Sequence, residues 1–157
     1  NMRSGFVQGL EAFRFISAGS VLVIWLQNLR VMALASLLGI FSFGVLGQIV
    51  CMLPLSLIGY IAANIAAANE SPWRFLLAFV LPHGLLEIPA ILIAGASILS
   101  LGATFLTPAQ GKTIGEAWLS SLGRWARLML GVVLPLFLLA ALVEVFVTPH
   151  VVLWLFG

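Results

Sequence analysis

The stretch from Val31 to Asn69 contains no charged side chain. At about 1.5 Å per residue, a helix over this stretch would be roughly 58 Å long, which is enough to cross a ~30 Å bilayer core twice. Pro54 predicts where the stretch divides, because proline is disfavoured in the interior of a helix. The sequence therefore predicts two spans, at about 31–52 and 54–69, with Arg30 at the membrane interface.

Composition places the chain in a lipid environment. The chain is 62% hydrophobic and 8% charged, whereas a soluble domain carries roughly 25% charged residues. These values predict an all-α fold, namely a polytopic helical bundle in a cell membrane. A net charge of +2 gives no support for binding nucleic acid. The single cysteine, Cys51, excludes an internal disulfide and a metal site built from several cysteines.

The segment from Trp73 to Leu106 is too long for one span and too short for two. Glu87 is the only charged residue between Phe75 and Gly111. Two prolines and a glycine flank it, and a proline also disfavours helical angles in the residue that precedes it. We therefore predict a broken re-entrant element at 73–88, with the break at 82–88, followed by a full span at 89–106.

The remaining segments complete a domain of four spans. Apolar residues recur at helical spacing in 113–127, which predicts an amphipathic interfacial helix, and the last span follows at 128–147. Residues 1–28 are predicted to form a separate interfacial amphipathic segment before a transmembrane domain at 29–157. Basic residues favour the cytoplasmic side of the membrane, so the loop at 107–127 is expected to face the cytoplasm.

Five positions form a predicted intramembrane polar cluster. Ionisable residues at membrane depth usually pair inside the bundle, and they also mark ion or substrate pathways. Three roles remain open, namely helix packing, a transport pathway, and catalysis by the two glutamates. The zinc-protease pattern of two histidines on one helix is missing, and we expect no catalytic residue, cofactor or metal. The cluster consists of Arg30, His83, Gly84, Glu87 and Glu144.

Small residues recur along the predicted spans and would let helix backbones approach closely. The glycines at 39–47 and the small residues at 90–102 form the two most prominent such faces. A four-span bundle that buries only one of them would present the other outward. We therefore expect a homodimer or a heteromeric membrane contact through one of these faces.

Several local patterns together resemble the stage II sporulation protein M family of integral membrane proteins. The resemblance covers about residues 27–149, and its most specific parts are the Pro-His-Gly followed by a glutamate and the closing Phe-Val-Thr-Pro. The matching residues are Gln27-Asn28-Leu29-Arg30-Val31, Leu81-Pro82-His83-Gly84 with Glu87 and Pro89, and Glu144 with Phe146-Val147-Thr148-Pro149.

The resemblance implies a protein that catalyses no reaction itself. The sporulation member is a polytopic protein that holds two peptidoglycan-degrading partners at the membrane, and some relatives are encoded beside ABC-type exporters. It is usually drawn with five spans, so we expect the first of them to be missing here. The leading hypothesis is a non-catalytic scaffold or accessory subunit of an envelope complex, in cell-wall remodelling or export. The alternatives are a small transporter or channel around 82–89, and an intramembrane enzyme using Glu87 and Glu144.

Overall fold

The computed structural model describes residues 18–108 and 110–156, and every regular element in these ranges is helical. We number the α-helices α1 to α7 and name the two π-helical segments separately. In chain order the elements are α1 (Ala18–Phe41), α2 (Val45–Ala67), α3 (Pro72–Phe75), the first π segment (Leu76–Val80), α4 (Leu81–Ala103), α5 (Ile114–Leu128), the second π segment (Met129–Val133), α6 (Leu134–Phe146) and α7 (Thr148–Phe156).

Four helical runs in the described residues are long and apolar enough to cross a bilayer. Two of them coincide with α1 and α2, and the other two run through a π segment. These runs confirm the predicted all-α polytopic membrane fold with four spans. Their bounds are Gly19–Phe41, Val45–Ala67, Pro72–Ala103 and Ile114–Phe156.

The predicted division of the first two spans at Pro54 is wrong. The turn lies at 42–44, where Phe43 and Gly44 adopt positive φ values of 53° and 97°. The Gly44 N–H donates to the Gly39 carbonyl at 2.7 Å, and Ser42 Oγ accepts from the Leu46 N–H at 2.9 Å. A left-handed glycine ends a helix at low cost, whereas Pro54 is accommodated inside α2.

The first span also begins earlier than predicted. Residues 18–28, which we assigned to an interfacial segment, belong to α1. The apolar residues before Gln27 and those after Arg30 form one helix, and the short polar stretch between them lies within it. Residues 1–17, the rest of that predicted segment, lie outside the described residues.

The structure has no break at 82–88, because one continuous helical run includes α3, the first π segment and α4. The predicted re-entrant element at 73–88 is therefore also wrong. The π segment explains how the run accommodates Pro82. At its end the Leu81 N–H donates to the Leu76 carbonyl, five residues back. This wider turn relieves the conflict that a proline ring creates with the carbonyl four residues earlier.

A π segment also precedes a proline in the last span. The second π segment ends directly before Leu134-Pro135, and the Leu134 N–H donates to the Met129 carbonyl. Through this segment the amphipathic helix α5 joins the last span without interruption.

A capping box stabilises the start of α5. The Glu116 N–H donates to Thr113 Oγ1, and the Glu116 carboxylate accepts from the Thr113 N–H.

Helix α4 lies at the centre of the bundle and packs against α1, α2, α5 and α6. It crosses the α1–α2 turn at Gly102, where a Cβ atom would overlap the backbone of Phe43 and Gly44. Gly39 and Gly47 make room for Ile98 in the same way. Both small-residue faces therefore pack against each other inside the monomer, and association through one of them stays a prediction.

Candidate functional site

His83 and Glu87 form a half-buried pair on one face of α4. Their side chains are four residues apart and are 16% and 22% exposed, and His83 Nε2 lies 3.7 Å from Glu87 Oε2. This separation is too long for a hydrogen bond. Within the described residues, His83 Nδ1 is buried and has no hydrogen-bond partner. The imidazole is thus held mainly by packing and by the carboxylate one turn away.

Glu144 approaches the pair from α6. It is partly buried, and its carboxyl group lies close enough to that of Glu87 for the two to interact electrostatically. The structure therefore brings His83, Glu87 and Glu144 together between two packed helices. Among the described residues, no group of three His, Cys, Asp or Glu side chains has the geometry to hold a metal ion. The three side chains lie where α4 packs against α6.

Gly84 lies beside the pair but is not required by close packing. It is buried, and a Cβ atom there would meet only Val80 Cγ1 at 3.5 Å and Ile88 Cδ1 at 3.7 Å, which are ordinary contacts. The most crowded glycine of α4 is Gly102, at the other end of the helix. Sequence proximity to His83 and Glu87 therefore does not give Gly84 a comparable packing role.

Arg30 does not join the cluster. It is the thirteenth of 24 residues in α1, so it lies near mid-span rather than at the predicted interfacial position. Its side chain is exposed, and the only ion pair within the described residues is His83–Glu87. Arg30 sits on the outer face of α1, which we define as the exposed residues Leu22, Val23, Leu26, Gln27, Arg30, Leu34 and Leu37.

Three polar contacts between helices were not predicted from the sequence. Trp25 Nε1 donates to the Leu134 carbonyl at 3.1 Å, and Trp125 Nε1 donates to Ser36 Oγ at 3.3 Å. Gln48 Nε2 donates to the Gly95 carbonyl at 2.5 Å. Two of the five tryptophans thus connect helices inside the bundle. The available signal for the last contact was the amide of Gln48 within an apolar run.

The fold and the polar cluster define the class of the protein as a multi-pass all-α membrane protein. Its sequence matches the family model described as stage II sporulation protein M over residues 6–149. The chain belongs to the stage II sporulation protein M family, as the residue patterns predicted. Comparison with curated proteins and with solved structures found no match.

Proposed function

We propose that this chain is a non-catalytic accessory subunit of an envelope complex and that it holds a partner protein within the bilayer through the outer face of α1. The observation that carries the proposal is the exposed Arg30 near the middle of a membrane-spanning helix. The family resemblance adds support, because it implies a protein that positions partners rather than one that transforms a substrate.

An outward-facing arginine at mid-span is costly against lipid. Arg30 lies roughly 17 Å from either end of α1, at about 1.5 Å per residue. Placing an arginine at the centre of a membrane helix costs about 3 kcal/mol on insertion scales, and such residues almost always face a partner or water. Gln27, one turn away on the same outer face, adds a second hydrogen-bonding group. Protein contact at this face would offset the cost.

The chemistry of the face favours a different protein over a second copy. A two-fold pairing centred on this face would bring each Arg30 close to the Arg30 of its partner, and like charges repel. A transmembrane helix with an aspartate or glutamate at mid-depth would complement Arg30, while its apolar residues would pack on Leu26 and Leu34. A membrane-anchored peptidoglycan hydrolase or an ABC-exporter subunit could supply such a helix.

The transport alternative receives less support from the geometry. It depended on a backbone break at 82–89, and α4 is continuous there. The hollow beside this segment has a volume of about 430 Å³ and is lined by apolar side chains such as Trp73, Leu77 and Leu85. A lipid acyl chain suits such a lining better than an ion does. We therefore retain the accessory-subunit proposal alone.

Site-specific photocrosslinking in native membranes tests the proposal. A photoreactive phenylalanine at Leu34, on the outer face of α1, should crosslink to a distinct protein. The matched control is Leu57 on α2, which is similarly exposed, at 59% against 50% for Leu34. Crosslinks to protein from Leu34 and to lipid from Leu57 would support the proposal. Crosslinks to lipid alone at both positions would reject it.

A further inference from the structure

A second polar feature lies at the opposite end of α4 from His83 and Glu87. It is a cavity of about 260 Å³ between the end of α4, the following loop and the first turns of α5, and we call it the basic cavity. It is separate from the outer face of α1 and independent of the proposed function. Its polar lining consists of Ser100, Thr104, Thr107, Lys112, Ser120 and Arg124.

The basic cavity has two cationic side chains in its lining and no carboxylate. Within the described residues, neither Lys112 nor Arg124 forms an ion pair. The nearest acid in sequence, Glu116, is held by the start of α5, because its Oε2 atom accepts from both the N–H and the hydroxyl of Thr113 at 2.9 Å. Glu116 still lies close enough to Lys112 to interact with it electrostatically, so the cavity presents positive charge that this carboxylate offsets only in part.

Two serine hydroxyls of the cavity add donors for an anion with several oxygens. Thr104 and Thr107 are already used, because they donate their hydroxyl protons to the carbonyls of Ser100 and Ala103, at 2.8 and 3.2 Å. The hydroxyl donors left in the lining are therefore those of Ser100 and Ser120. Two cations with neighbouring hydroxyls match the charge and the hydrogen-bonding needs of a phosphate group.

An apolar hollow continues from the basic cavity toward the middle of the span. It has a volume of about 370 Å³ and shares Ser100 and Arg124 with the cavity. Ile93 and Leu128 line its deeper part, between α4 and α5. A polar pocket joined to an apolar hollow has the shape of a headgroup site with room for an acyl chain. A free phosphate would leave the hollow unused.

We propose that the basic cavity binds the phosphate of an anionic phospholipid and that the adjoining hollow receives part of an acyl chain. Basic pockets between transmembrane helices on the cytoplasmic side suit anionic lipid headgroups. The loop between α4 and α5 is the one that the distribution of basic residues assigns to the cytoplasm. The lipid would hold the start of α5 against the end of α4.

Lipid titration of the full chain, purified in detergent and stripped of lipid, tests this site. Native mass spectrometry and thermal melting would compare phosphatidylglycerol, phosphatidylcholine and inorganic phosphate as ligands. Each basic residue near an anionic headgroup is worth about 1 kcal/mol, or roughly 5-fold in affinity. The double variant Lys112→Gln/Arg124→Gln should therefore lose roughly 30-fold in phosphatidylglycerol affinity while melting as wild type does without lipid.

Arg127→Gln is the matched control. Arg127 lies on α5, is exposed, and donates to the Gly123 carbonyl of its own helix at 3.2 Å without lining the cavity. This variant should keep wild-type affinity for phosphatidylglycerol. Equal binding of phosphatidylcholine and phosphatidylglycerol would overturn the proposal, as would an equal loss in Arg127→Gln. Full stabilisation by inorganic phosphate, with no added effect of phosphatidylglycerol, would overturn the assignment to a lipid.

Discussion

Polar groups on the inward face of α4 lie beside polar partners, whereas Arg30 on the outer face of α1 forms no ion pair within the described residues. On α4, Glu87 has His83 one turn away and Glu144 opposite, and the Gly95 carbonyl accepts from Gln48. On α1, Arg30 is exposed near mid-span, and its neighbours on the outer face are mostly large apolar residues.

This difference separates two roles for intramembrane polarity. Glu87 and Gln48 have partners within the chain, so their removal should change the stability of the isolated protein. A charge on the outer face has no described partner, so its removal should change association. Substitutions on the two faces should therefore produce opposite combinations of effects on melting and on copurification.

The largest effect on stability is expected at the crossing of α4 and the α1–α2 turn. Gly102→Ala should lower the free energy of unfolding by about 3 kcal/mol, because the new methyl group must displace the backbone of Phe43 and Gly44. Thermal melting in detergent measures this. Gly123→Ala on α5 is the control, since a Cβ there meets no atom within 4 Å. It should be neutral or stabilising, and equal melting of both variants would contradict the crossing.

A smaller loss is expected at the contact between α2 and α4. Gln48→Leu removes the hydrogen bond to the Gly95 carbonyl and should cost about 1 kcal/mol, which is typical of hydrogen bonds between membrane helices. Chemical denaturation in mixed micelles measures the change. Asn64→Leu serves as the comparison, because Asn64 Nδ2 bonds only within its own helix, to Tyr60. If both substitutions cost the same, the contact between helices contributes nothing specific.

The pair on α4 should contribute still less. A double-mutant cycle with His83→Gln and Glu87→Gln should give a favourable coupling free energy of about 0.5 kcal/mol, because the groups are partly exposed and 3.7 Å apart. Denaturation of the four proteins at one pH supplies the cycle. A coupling free energy of zero would show that packing alone holds the two side chains together.

The smallest effect is expected at Gly84. Gly84→Ala should change the free energy of unfolding by no more than about 0.5 kcal/mol, since the better helix propensity of alanine accompanies only ordinary contacts. Side-by-side melting with Gly102→Ala checks the contrast between the two ends of α4. A drop at Gly84 as large as that at Gly102 would mean that the polar end is packed as closely as the glycine crossing.

The sequence predicts the class of fold better than the positions of its turns. The uncharged stretch of 31–69 predicts membrane helices, because soluble domains carry roughly 25% charged residues. Neither Pro54 nor Pro82 breaks its helical run, because a π segment accommodates Pro82 and Pro54 lies inside α2. The Phe43-Gly44 turn depends on positive backbone angles and on its contact with Gly102, and such a contact between distant segments leaves little local signal.

The polar cluster was predicted only in part, because one of its members depends on where a helix begins. His83 and Glu87 share a face because they are four residues apart on a regular helix, which the sequence can show. The position of Arg30 depends on where α1 begins. The helix begins at residue 18 rather than 31, which places Arg30 at mid-span instead of at the interface. Within the described residues Arg30 forms no ion pair with Glu144.

Copurification with Arg30 variants tests the central claim most directly. The full chain would be isolated from native membranes in mild detergent as wild type, Arg30→Leu and Arg30→Lys, with mass spectrometry of bound proteins and melting of each sample. We predict that Arg30→Leu loses the partner and melts at or above the wild-type temperature, while Arg30→Lys retains part of the partner. Undiminished partner in Arg30→Leu, or a large drop in its melting temperature, would contradict the account.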